Sequence, residues 1–219
     1  MANQGHGFTW ETAIKVAAFQ NTQKYAYTAP FDIPAADNIF DPSENISIKV
    51  CGDDKAECAD ALRIFGYKDY PKITMIAVRW VQQTPTTKAI QRIYEVALGG
   101  PVINRILFGD VTEEELKALV QLMRQIPPGP VSTSAKAAVH AEKTRLNQKS
   151  GIIRFNPKMD SKSQRRLQCS IPHLSAALAA HPEMLISSSA EPLVRGSAIP
   201  ATIESGPRVR NSAQPIIPP

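Results

Sequence analysis

The stretch Asn45-Ile46-Ser47-Ile48-Lys49-Val50-Cys51 constrains this chain more than any other. In an extended strand, side chains alternate between the two faces, so Ile46, Ile48 and Val50 fall on one side and Ser47, Lys49 and Cys51 on the other. Residues two apart on one face sit about 6.5 Å from each other. A lysine therefore emerges beside a serine from a strand whose opposite face is fully apolar. Upstream, Pro30-Phe31-Asp32-Ile33-Pro34 supplies a second, acidic strand end, because prolines confine a strand to an edge or stop it. Either Asp32 and Lys49 meet over a metal, or they are two separate surface charges. Asp32 between prolines also fits a turn, and Lys49 fits an edge charge that blocks aggregation.

The rest of the sequence supplies a sheet for this strand. A chain of 219 residues with 43% hydrophobic residues can bury a sizeable core, in one domain of generous size or one domain plus appendages. Trp10, Ala13, Ile14, Ala17 and Ala18 follow a helical stripe after Thr9, a suitable N-cap. Glu11 lies in the first turn of that helix, where it either complements the helix dipole or serves a site. Residues 24–33 read as extended, 35–44 as a loop and 56–65 as a short helix in which Asp60 and Arg63 pair on the surface. Residues 73–81 are a nearly continuous apolar run broken by Arg79, as expected of a buried central strand.

Residues 84–98 read as a helix with Ile90, Ile93, Tyr94 and Ala97 on its buried face, stopped by Gly99-Gly100. Residues 102–108 read as an apolar strand. Thr112 and Glu115 form a capping box ahead of Leu116, Leu119, Val120 and Met123. A polar, basic helix is expected over 134–149, strands over 152–155 and 167–171, and a short alanine-rich helix after Pro172. The sum is an α/β protein with a central mixed β-sheet flanked by helices. It occupies residues 1–180, and residues 181–219 form a Ser- and Pro-rich, poorly ordered tail.

A formal charge of +5 mildly favours a polyanionic partner. Cys51, Cys58 and Cys169 have no zinc-ribbon spacing and no histidine cluster, so they read as packed free thiols. With no signal-peptide pattern and no apolar run of membrane-spanning length, the expectation is an intracellular, cytoplasmic protein with no membrane contact.

Phosphodiester hydrolysis needs a divalent cation on a non-bridging oxygen and a water in line with the leaving oxygen. A carboxylate and a backbone carbonyl can hold Mg²⁺, and a neighbouring lysine can orient the water or stabilise the developing charge. At Pro30-Phe31-Asp32 and Ser47-Ile48-Lys49 the chain resembles the PD-(D/E)XK nuclease superfamily, and within it the type II restriction endonucleases. Glu11 matches an acid often found on the preceding helix. The 58–63 segment and the stretch from Asn156 to Ser170 also resemble parts of such enzymes.

The resemblance implies a restriction-endonuclease-like sheet. It implies metal binding by Asp32 and Glu11, and water activation by Lys49. Two departures stand out: Phe31 is inserted before the aspartate, and Ser47 replaces the usual carboxylate. Asp41, Glu44 and Asp53 are nearby substitutes, and Asp37 is less well placed.

The basic stretch suggests DNA contact or, alternatively, a solvated outer face. Arg154, Lys158, Lys162 and Arg165 suit phosphates, while Gln164, Arg166 and Gln168 carry forks that read base edges. Arg63 either joins them or pairs with Asp60. The expected function is Mg²⁺-dependent, sequence-specific cleavage of double-stranded DNA by a two-fold homodimer. The rivals are a catalytically inactive DNA-binding protein and a nonspecific packaging protein.

Overall fold

Strands with apolar residues on both faces build the centre of the molecule. The computed structural model describes residues 5–25, 29–126, 133–159 and 166–204. Helix α1 (Gly5–Phe19) buries Trp10, Ile14 and Ala18 of the expected stripe, while Ala13 is half-buried and Ala17 is exposed. It starts before Thr9, which is therefore an interior helical residue and not the N-cap. The described residues of 24–33 form no strand. Ile33 alone bridges Ile46, and Tyr27 lies outside the described residues.

Strand β1 (Asn45–Cys51) follows as expected. Residues 56–65 are not one helix: strand β2 (Lys55–Asp60) precedes a short helix, α2 (Ala61–Phe65). Asp60 caps α2 by accepting from the Arg63 backbone N–H at 3.1 Å, so its carboxylate serves the helix terminus. Strand β3 (Ile73–Gln82) is buried over its first six residues and paired on both sides.

Two expectations exchange places after β3. Residues 84–98 form strand β4 (Thr87–Ala97), hairpin-paired to β3, and not a helix. The pairing slips between Arg79↔Arg92 and Trp80↔Ile90, so Gln91 is an extra residue in β4. That bulge breaks the period-two pattern and leaves apolar spacings that imitate a helix. Residues 102–108 form helix α3 (Pro101–Phe108), and not a strand. Gly100, at φ 84°, turns the chain in a way few other residues tolerate, and Pro101 suits the first helical position.

Helix α4 (Glu113–Arg124) carries the expected capping box, and buries Leu116, Leu119, Val120 and Met123. Helix α5 (Thr133–Lys149), strand β5 (Arg154–Lys158), strand β6 (Arg166–Pro172) and helix α6 (Leu174–Ala180) follow. Residues 182–204 are not a loose tail. They supply β7 (Leu185–Ser189), β8 (Leu193–Val194), β9 (Ser197–Ala198) and β10 (Thr202–Glu204). Residues 205–219 lie outside the described residues.

The fold is α/β. Its mixed, five-stranded sheet has the order β1-β3-β4-β10, with β7 also on β4; β1 is parallel to β3 and the other pairs are antiparallel. Ile46, Ile48, Ile76, Val78 and Ile93 pack towards α1. Cys51, Met75, Ala77, Tyr94 and Val96 face the larger core. That core includes Leu116 and Met123 of α4 and the inner face of the three-stranded sheet β2-β6-β5. Among the described residues, no helix is long and apolar enough to cross a membrane.

Candidate active site

Asp32 is set at the outer edge of β1 by its neighbours. Phe31 enters the larger core, 5.4 Å from the Tyr67 ring and 5.3 Å from the Tyr70 ring, while Ile33 enters the core beneath α1. Phe31 thus anchors the segment. Tyr67 Oη donates to Pro30 O at 3.2 Å, and Arg63 Nη1 donates to Ala29 O at 3.1 Å. Arg63 therefore braces the backbone just before Asp32.

The backbone N–H of Asp32 donates to Ile46 O at 2.9 Å, and Asp32 Oδ2 accepts from Ile48 N at 2.6 Å. A strand edge leaves N–H groups without sheet partners. Here a carboxylate supplies the partner. Lys49 Nζ lies 3.5 Å from Asp32 Oδ2 and donates to Ile48 O at 3.0 Å. A carboxylate, a main-chain carbonyl and an ammonium group converge at one place. The Lys49 and Asp32 side chains are 23% and 24% exposed, so solvent and a ligand can reach them.

The other sequence candidates are placed differently. Glu11 stands on α1, on the sheet face opposite Lys49, and its Oε1 accepts from Lys15 Nζ at 2.6 Å. Among the described residues, no ion pair links Glu11 to Lys49. Ser47 shares the Lys49 face but is 4% exposed, opposite Met75 of β3. Glu44 is 2% exposed and held by Arg195, Thr74 and Asn38. Asp41 pairs with Lys72, Asp37 accepts from Tyr25, and Asp53 is exposed in the turn after β1. Among the described residues, no three His, Cys, Asp or Glu side chains gather as metal ligands do.

The described residues of the basic stretch are spread over the outer side of β2-β6-β5. Lys158 pairs with Arg166 across the strands, and Gln168 lies between Asn156 and Asp60. Lys158 is exposed; Arg166 and Gln168 are half-buried. Arg154 Nη1 donates to Gly151 O at 2.7 Å and Ile153 O at 2.6 Å, closing the turn after α5. Lys162, Gln164 and Arg165 lie outside the described residues.

No protein-family model, curated protein or solved structure matches this chain. Sequence reasoning missed the Ile48 amide and carbonyl, since every residue carries these and only edge geometry makes them available. It also missed Arg195, which sits in the segment expected to be a tail.

The thiols are not candidates for nucleophiles. Cys51, Cys58 and Cys169 are all buried and free. Burial, ahead of neighbouring charges, pushes Cys51 up to about 12, Cys58 up to about 11, and Cys169 well above its ordinary value. Thiolates are the reactive form. A disulfide-exchange reagent at neutral pH is expected to leave all three unmodified over minutes in the native protein and to titrate all three in denaturant. Rapid native reaction of even one thiol would contradict this packing.

Proposed function

We propose that the protein is a magnesium-dependent endonuclease that hydrolyses double-stranded DNA with restriction-type sequence preference, as its resemblance to PD-(D/E)XK nucleases suggests. The observation that carries this proposal is the convergence of the Asp32 carboxylate, the Ile48 carbonyl and the Lys49 ammonium at an accessible strand edge. Magnesium takes oxygen ligands, keeps several waters and uses one or two carboxylates. Asp32 and the Ile48 carbonyl fit that donor set. Bound there, magnesium would supply Lewis acidity at a non-bridging phosphate oxygen.

The remaining chemistry belongs to the chain. The Ile48 N–H fixes the Asp32 carboxylate. Lys49 gives up its bond to the Ile48 carbonyl and donates instead to the attacking water or to the phosphate. The water oxygen forms the new P–O bond as the bond from phosphorus to the leaving ester oxygen breaks; the proton released by the water passes to solvent, and the leaving oxygen takes up a proton from solvent. Arg166 and Gln168 would read base edges, and a palindromic target would be met most simply by a two-fold dimer. A reducing cytoplasm suits the free thiols.

A second proposal is favoured by Ser47. With a serine in place of the second carboxylate, the same surface would bind DNA without cutting it. A supercoiled plasmid of mixed sequence separates the two. Nicking or linearisation with Mg²⁺ that stops in EDTA is the expected result. Binding without any cutting across Mg²⁺ and Mn²⁺ would leave the second proposal standing.

A further inference from the structure

The strand register sets a second positive group beside Lys49. Lys49 is opposite Ala77, and Cys51, two residues further on, is opposite Arg79. Arg79 is in turn opposite Arg92 of β4. Directly opposed residues share a sheet face, so both guanidinium groups stand on the Lys49 side, one row beyond it, about 6.5 Å along the strands.

Like charges directly opposite each other destabilise a sheet. Only part of this charge is answered. Asp54 Oδ1 lies 3.5 Å from Arg79 Nη1, but Asp54 is also held by Ser175, through its backbone N–H at 3.0 Å and its hydroxyl. The Arg92 side chain makes no hydrogen bond or ion pair among the described residues, and the residue is half-buried. Arg79, Arg92 and Lys49 set against Asp54 and Asp32 leave one net positive charge on this face, with donor forks. Guanidinium forks match phosphate oxygens in paired hydrogen bonds.

We propose that Arg79 and Arg92 form a backbone-phosphate clamp that holds the phosphodiester adjacent to the one placed at Asp32 and Lys49. The ligand is a nucleic-acid strand, gripped through its phosphates and not its bases. The clamp rests on the nuclease proposal for its neighbour, yet it can be tested without cleavage.

The test is anisotropy titration of fluorescent mixed-sequence DNA duplexes in EDTA, with wild type, Arg92→Gln and, as a control, Lys117→Gln. Lys117 is exposed on α4 and paired with Glu113. Arg92→Gln is expected to weaken binding about five- to tenfold on every duplex alike and to lower the log–log salt slope by about 1. Its melting temperature should hold or rise, because a like-charge pair is removed. Unchanged affinity and slope, or a loss no larger than that of Lys117→Gln, would overturn the clamp. Plasmid cutting with unaltered Arg92→Gln binding would sink the clamp alone. Clamp behaviour without any cutting would sink only the hydrolytic proposal.

Discussion

Lys49→Ala is expected to lower plasmid cleavage about 10²- to 10⁴-fold while the protein stays folded. Lys49 is the mobile partner in the convergence at the β1 edge. Its ammonium meets Asp32 at 3.5 Å and the Ile48 carbonyl at 3.0 Å, and both bonds can be exchanged for bonds to a ligand. Asp32 keeps its bond from Ile48 N when the lysine is removed, so the edge should retain its shape. An ion pair that solvent reaches at a surface edge contributes on the order of 1 kcal/mol or less. A large loss of cutting with a nearly unchanged melting temperature separates a chemical role from a structural one. Lys49→Met, which keeps the aliphatic stem, should be equally inactive.

Arg195→Ala is expected to destabilise the fold by about 3–5 kcal/mol at neutral pH. Arg195 Nη1 and Nη2 reach the two oxygens of Glu44 at 2.6 and 3.0 Å, and Nη2 lies 3.1 Å from Glu95. Glu44 and Glu95 are 2% and 8% exposed, so removing the guanidinium strands two buried carboxylates. The arginine also lies 5.4 Å from the Phe19 ring and 5.3 Å from the Phe40 ring. It sits at φ 49° beside Gly196 in the turn joining β8 to β9. The network therefore ties the C-terminal hairpin to β3, β4 and the segment before β1.

The pH dependence of this network has a definite sign. Burial pushes the Glu44 carboxyl up, but Arg195, Thr74 and Asn38 outweigh burial and hold it below its ordinary value. A carboxyl with a depressed native value stabilises the fold fully above its unfolded value, about 4.3, and loses that contribution as pH falls through the native value. The difference in melting temperature between wild type and Arg195→Ala should be largest near pH 7 and shrink below about pH 4. A difference that stays constant with pH, or none at pH 7, would contradict the ion-pair role.

Local signals carried much of the fold into the sequence. The Thr112–Glu115 capping box and the stripe behind it need only neighbouring residues, and both stand as expected. The apolar run of β3 is buried between strands and reads as such. Where the sequence misled, a local pattern was ambiguous or the deciding contact was distant. The bulge at Gln91 disguised β4, and the short run of α3 fits either period. Strands of two or three residues, such as β8, β9 and β10, have no period to read. Glu44 and Arg195 meet across 151 positions, and no spacing rule joins them. Asp32 and Lys49 were legible as a pair because a proline-flanked acid and a strand lysine lie close in sequence. Glu11 was expected in the first turn of its helix, but α1 begins at Gly5, so it lies beyond that turn, paired at i, i+4 with Lys15.

The most direct measurement compares wild type and Asp32→Asn in Mg²⁺ on supercoiled plasmid, with both proteins first shown to be folded by circular dichroism. The asparagine oxygen can still accept from Ile48 N, so the strand edge persists while the charge is lost. Wild type should nick and linearise the plasmid, and Asp32→Asn should leave it supercoiled. Equal cutting by the two proteins, or none by wild type, would contradict a nuclease site at Asp32 and Lys49.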